Sequence, residues 1–275
     1  MNIQKISKLT LGTFQFTKAW KSKLTKKKIY SILDYSLSKG INSIETADEY
    51  DKGEIEKLIG NFKKKIPYVL TKFGQLNNFS EKNSVKMLDN SLKRLNRDYI
   101  DIYFFHSGTN KQFDNDKLWN SLQKEVQKGK ILNLGLSLKT SLLQKNDYEQ
   151  IYKMKQYGIK VLQVLYNPIF TEAENIFGFA KKNDIFLMTR SPFAKGLMIN
   201  NSKLLSKIPK SRYKFKDLDI TKNQFASKIE KSLGGKFNNN QKLFKKTLKW
   251  VCKKKIIKSV ICGVSSKKQL IENLK

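Results

Sequence analysis

The chain has 275 residues, 39% of them hydrophobic, and a formal net charge of +32. That length buries a full core without metals or disulfides, and the dense apolar runs 68–70, 102–105 and 161–165 exclude a disordered chain. Two cysteines, Cys252 and Cys262, exclude a disulfide framework, and no run approaches the roughly 18 apolar residues of a membrane span, so a cytoplasmic protein without membrane contact is expected.

The charge invites a nucleic-acid reading, but arginine occurs only at Arg94, Arg97, Arg190 and Arg212. Base and phosphate recognition favour the rigid arginine fork, whereas dispersed lysines solvate helix faces. The densest block, 242–258, carries Leu243, Leu248, Trp250 and Val251 at the spacing of one buried helical stripe. No specific nucleic-acid partner is expected. The positive field favours anionic small molecules instead.

Eight strand-like runs alternate with amphipathic segments along the chain. The first strand is expected at 10–16. A helix at 26–39 follows, with Ile29, Ile32, Leu33 and Leu37 on one side and Gly40 as its stop. Strands at 42–46 and 68–73 precede a helix at 84–95, whose Val85, Leu88, Leu92 and Leu95 recur every three or four residues. A strand at 101–106, a helix at 118–128, a strand at 133–137 and a helix at 147–157 come next. Strands at 161–166 and 185–191 flank a helix at 174–182, and a last strand falls at 259–264. Alternating strands and helices imply parallel βα units, and eight strands without a GxGxxG fingerprint point to a (β/α)₈ TIM barrel over an open doubly wound sheet. One barrel domain over 1–275 is expected, with 197–241 as a long connection on the active-site face.

Reactive side chains fall at the ends of successive strands: Glu45 and Tyr50 after the second, Lys72 in the third, and the single histidine, His106, closing the fourth. In a parallel barrel these share one rim. Each has a plainer reading, as a packing tyrosine, a paired buried lysine or a hydrogen-bonded rim histidine. Together they form a device. An ammonium near a tyrosine, whose usual pKa is about 10, is expected to lower that pKa and ease proton transfer to a carbonyl oxygen. Glu45 would hold Lys72, and His106 would orient the substrate. With one histidine and remote cysteines, no metal site is expected.

The chain also resembles the aldo/keto reductase family. Gly40-Ile41-Asn42-Ser43-Ile44-Glu45-Thr46-Ala47-Asp48-Glu49-Tyr50 is similar to the family's aspartate and tyrosine segment, Thr71-Lys72-Phe73-Gly74 to its lysine motif, and Asp98-Tyr99-Ile100-Asp101-Ile102-Tyr103 leading to His106 to its histidine strand. Gly135-Leu136-Ser137-Leu138 resembles a GxSN segment, with Leu138 in place of asparagine. Gln163 with Tyr166-Asn167 resembles the glutamine strand, and Ser191-Pro192-Phe193-Ala194-Lys195-Gly196-Leu197 the SPLxxGxL loop. Ile261-Cys262-Gly263-Val264-Ser265, followed by Gln269, Glu272 and Asn273, is similar to the adenosine-binding end.

The resemblance implies a barrel that binds NADP(H), or alternatively NAD(H), and reduces an aldehyde or ketone to an alcohol, with Tyr50 as general acid and Lys72, Glu45 and His106 in support. It implies cofactor contacts at Ser137, Gln163, Ser191, Gly196, Leu197, Gly263, Ser265, Gln269, Glu272 and Asn273. Lys267 and Lys268 stand near where a 2′-phosphate would be recognised, which favours NADPH. The lysine-rich surface suits a small carbonyl substrate of phosphorylated or sugar-like character. Glu45 is one methylene longer than aspartate and is expected to move Lys72 by about 1 Å, and Leu138 removes a nicotinamide-orienting amide. A cofactor-binding protein with little turnover is therefore an alternative, and a nucleic-acid binder another.

Overall fold

A computed structural model describes residues 2–20, 24–74, 79–194, 222–235 and 240–274. Eight strands, β1 (Leu9–Gly12), β2 (Ser43–Glu45), β3 (Tyr68–Phe73), β4 (Ile102–His106), β5 (Leu134–Ser137), β6 (Ile159–Leu165), β7 (Phe186–Arg190) and β8 (Ile257–Gly263), pair in sequence order, all parallel. β8 returns to β1 and closes the barrel, as the strand count predicts.

Alternation along each strand decides which residues point inward. Leu70, Ile102, Phe104, Val161, Phe186 and Met188 form one buried cluster inside the barrel, joined by Ile6 from the segment before β1. Their sequence neighbours, among them Val69, Phe73, Tyr103, Phe105, Leu162 and Leu187, belong to a second cluster shared with the helices. One step of two beyond the inward apolar residues, the same face presents Lys72, His106, Gln163 and Arg190 at the C-terminal ends of β3, β4, β6 and β7. The rim is thus an extension of the core pattern.

The surrounding helices bury their expected stripes. Helix Glu81–Leu95 is capped by Ser80, which accepts from the Asn83 amide, and buries Leu88, Leu92 and Leu95. Helix Asp116–Gln127, capped by Asn115, buries Leu118, Trp119 and Leu122. Helix Asn240–Lys253 buries Leu243, Leu248 and Val251, so most of the lysine-dense block is an amphipathic helix with a solvated face, and its last residues enter β8. Buried Glu56 accepts from Thr71 of β3 (2.6 Å) and from Arg94 Nε (2.7 Å), tying a strand to two helices.

Three of the expected elements depart furthest from their expected form. β1 stops at Gly12, because the Thr13 amide and hydroxyl both donate to Glu45 O (3.0 Å each) and Phe14–Phe16 then turns as a 3-10 helix. The helix expected at 147–157 reduces to Glu149–Tyr152. Asp147 and Glu149 are held by Asn110 Nδ2, and the chain beyond Lys153 runs in turns. The helix expected at 174–182 starts as a 3-10 turn, Glu172–Ile176, before Phe177–Lys182. Of the long connection at 197–241, helix Lys222–Leu233 is described, while 197–221 and 236–239 lie outside the described residues.

Gly135 is a packing requirement inside the barrel. A Cβ there would lie 2.4 Å from Phe104 Cδ1 and 3.0 Å from Ile102 Cγ2. Gly135→Ala is expected to cost about 1–3 kcal/mol in urea denaturation through overpacking. An unchanged midpoint and slope would mean that Phe104 has a second rotamer open to it.

Candidate active site

The inward ends of the strands bring a connected polar chain together. Ser137 Oγ donates to Gln163 Oε1 (2.7 Å), and Gln163 Nε2 donates to Glu45 Oε1 (3.3 Å). Glu45 forms an ion pair with Lys72 Nζ. Lys72 Nζ in turn donates to Thr46 O (2.7 Å) and to Tyr50 Oη (3.1 Å). An ammonium has three hydrogens, and these three partners use them all. Lys72 is 1% exposed and Glu45 4%, so the pair is desolvated and its geometry is fixed by mutual need.

Tyr50 opens the 3-10 turn Tyr50–Gly53, where Asp51 and Lys52 both have positive φ, 49° and 57°. That strained turn directs the chain from β2 back over the rim. The phenol ring lies edge-on to Phe14 (centroids 5.3 Å apart), and Phe14 meets Trp20 at 5.8 Å, forming an apolar wall. Phe14 thus lies against Tyr50, with Trp20 behind it. Phe79 stacks on core Phe105 (4.3 Å) and Phe16 is buried in the core. The additional methylene of Glu45 does not separate Lys72 from Tyr50.

The electrostatics revise one expectation. Burial holds the Tyr50 phenol well above its usual range, Glu45 and Glu49 add to that, and the cation opposing it is Arg190. Desolvation of a phenolate therefore outweighs the neighbouring ammonium, and Tyr50 carries its proton at neutral pH. Because Tyr50 Oη accepts from Lys72, its own O–H is left to donate elsewhere. Burial lowers the Lys72 ammonium, with Glu45 opposing. His106 is held well below its usual range by burial and by the charges of Lys72 and Arg190, so it is neutral. Its Nδ1 lies 3.6 Å from Glu49 Oε1.

Two site residues escape the sequence reading. Arg190 ends β7 and donates from Nη2 to Leu138 O (3.1 Å) and Thr140 Oγ1 (3.0 Å). The signal that singles out Lys72, a charge interrupting an apolar strand, is equally present in Phe186-Leu187-Met188-Thr189-Arg190. Glu49 has no such signal. Its carboxyl is raised to about 7, chiefly by burial, and that of Asp48 to about 6, again chiefly by burial.

The remaining candidates divide. Ser191, Gly263, Ser265 and Gln269 line one cleft, walled by Phe193 and Phe244. The Gln15 side chain packs directly over Gly263, where a Cβ would lie 1.7 Å from Gln15 Oε1 and displace it. Asn167 Nδ2 holds Ser191 O (3.0 Å), and Ser265 donates to Gln269 Oε1 from N (2.9 Å). Asn273 turns inward instead, donating to Cys262 Sγ (3.6 Å). Lys267 Nζ sits over the Tyr35 ring (5.3 Å), Lys268 is exposed and Glu272 half-buried. Gly196 and Leu197 lie outside the described residues.

The family model described as the aldo/keto reductase family matches residues 8–275. The chain belongs to the aldo/keto reductase family. It is an oxidoreductase of that type. It is 27% identical over 270 residues to an uncharacterized oxidoreductase, YqkF, of Bacillus subtilis, covering 90% of this chain and 82% of that one. It is 26% identical over 218 residues to an NADP(+) aldo-keto reductase of Schizosaccharomyces pombe, covering 73% of this chain and 62% of that one. The glycerol dehydrogenase of Gluconobacter oxydans shares the fold, with a TM-score of 0.76 at 21% identity over 98% of this chain and 86% of that one. No helix among the described residues is long and apolar enough to cross a membrane.

Glu49 makes the site pH-sensitive. A carboxyl raised on folding favours the fold in its protonated form, so this contribution is complete below about 4.5 and is lost as pH rises through about 7. Glu49→Gln is expected to melt with the wild type near about pH 4 and above it near about pH 8 in differential scanning calorimetry. A variant melting lower at the higher pH would mean that ionised Glu49 stabilises the fold.

Proposed function

We propose that the chain reduces an aldehyde or ketone to an alcohol with NADPH, NADH being the alternative donor. The observation that carries this reading is Lys72, bonded to Tyr50 Oη at 3.1 Å while Glu45 and Thr46 O occupy its other hydrogens. The donor set fits a nicotinamide dinucleotide. The buried hydroxyl and amide of Ser137 and Gln163 suit a carboxamide, and the cleft past Ser191, Gly263, Ser265 and Gln269 suits an extended dinucleotide. Bound there, the nicotinamide would supply the hydride, which no side chain does.

Tyr50 donates its proton to the carbonyl oxygen as that oxygen gains negative charge. The phenolate left behind lies against the Lys72 ammonium, which stabilises it at the moment it forms. Glu45 keeps Lys72 charged and aimed, acting as a positioning residue. Neutral His106 offers one N–H to the carbonyl oxygen without competing as an acid. Phe14, backed by Trp20, gives the approach to Tyr50 an apolar edge. The cationic surface and the exposed Lys268 favour the phosphorylated cofactor and a phosphorylated or sugar-like carbonyl.

The test is a fluorescence titration with NADPH and NADH, followed by a panel of short aldehydes, phosphorylated aldoses and keto sugars read by loss of nicotinamide absorbance. Tyr50→Phe is expected to lower kcat by roughly 10²–10⁴-fold with cofactor affinity retained. Full activity in that variant would remove Tyr50 from the reaction. Tight cofactor binding with no turnover across the panel would make the chain a binding protein.

A further inference from the structure

Arg190 is a half-buried cation that the proposed chemistry does not use. Period-two alternation along β7 puts it on the inward face with Phe186 and Met188, and its charge is felt by Tyr50, Glu45, Lys72 and His106. It therefore belongs to the same inward-facing rim. A guanidinium has five N–H donors in a planar fork. Nη2 is committed to Leu138 O and Thr140 Oγ1, and among the described residues Nε and Nη1 meet no protein acceptor. Glu45 is committed to Lys72, and no ion pair joins Arg190 to a described carboxylate. These unspent donors, on a side chain held in place by its other bonds and still partly exposed, are open to an acceptor that a ligand supplies.

The rim divides into two halves. Tyr50, Lys72 and His106 come from β2 to β4 and the loops after them, and they claim the carbonyl oxygen. Ser137, Gln163 and Arg190 come from β5 to β7, where Ser137 and Gln163 are paired in register. On the reductase reading a nicotinamide would be held by this second half, where Ser137 and Gln163 suit its carboxamide. Arg190 is fixed against the carbonyl of Leu138, the residue that stands where the family pattern has a nicotinamide-orienting asparagine.

We propose that Arg190 is a cofactor-binding residue whose unspent N–H groups donate to the carboxamide oxygen of the reduced nicotinamide, replacing the amide lost at position 138 and selecting the reduced over the oxidised cofactor. The inference rests on the reductase reading above. A dihydronicotinamide carboxamide is conjugated to the ring nitrogen, so its oxygen is electron-rich and accepts a charge-assisted hydrogen bond well. The oxidised ring is a pyridinium, and a guanidinium beside it is repelled. The same side chain thus favours one redox state and disfavours the other.

Titration of the purified chain with NADPH, NADP⁺ and 2′,5′-ADP, which lacks the nicotinamide, tests this without turnover. Arg190→Met is expected to raise the NADPH Kd roughly 10–100-fold, to change the NADP⁺ Kd little because lost bonding and relieved repulsion offset, and to leave 2′,5′-ADP binding unchanged. Arg190→Gln keeps an amide donor at the rim without the charge, and supplies the same readout if the methionine variant does not fold. It is expected to erase the NADPH over NADP⁺ preference.

Equal weakening of NADPH and NADP⁺, or weakening of 2′,5′-ADP, would make Arg190 a structural support and overturn the proposal. Unchanged Kd values with a selective loss of kcat/KM for carboxylate-bearing carbonyls would place Arg190 on the substrate and overturn it equally. Wild-type chain that binds neither cofactor overturns the reductase reading and this inference together, whereas the other contrary outcomes leave that reading standing.

Discussion

The site depends on one constraint: an ammonium placed at the rim of an apolar barrel must find three acceptors close at hand. Lys72 finds them in Glu45, Thr46 O and Tyr50 Oη, all from β2 and the turn that follows it. Meeting that demand brings β2 and β3 into register at the rim and seats the Tyr50 turn over the cavity. The carboxylate is fixed in its own right by Gln163 Nε2 from across the barrel. A catalytic constellation and a buried ion pair are here the same object. A pair of this kind adds little net stability, but removing one partner leaves an uncompensated charge, which makes the arrangement specific.

Much of the fold was legible because one rule, period two in strands and three to four in helices, governs both core and rim. Leu70 followed by Lys72, and Phe104 followed by His106, read as core becoming site. Arg190 obeys the same rule after Met188. It stands outside the family-like motifs, so motif reading passes over it while strand alternation finds it. The end of β1 was not legible, since 10–16 alternates as a strand should. What stops it is a pair of bonds from Thr13 to Glu45 O, a long-range contact that no local pattern encodes. The broken helix at 147–157 has a similar cause in Asn110.

The direction of the Tyr50 shift illustrates the other limit. Sequence puts a lysine beside a tyrosine, and Coulomb attraction alone would then favour the phenolate. Burial of the phenol and the carboxylates of Glu45 and Glu49 reverse it. The consequence suits an acid: the proton stays on Tyr50 until a carbonyl oxygen acquires charge. Neutral His106 and protonatable Glu49 share the same cause, a dry rim that resists every isolated charge.

The central claim is that Glu45 and Lys72 act through Tyr50. A double-mutant cycle on kcat with Glu45→Gln and Tyr50→Phe measures this most directly. The double variant is expected to be no slower than Tyr50→Phe alone, because a positioning group has nothing left to position. Losses that multiply across the two substitutions would contradict it.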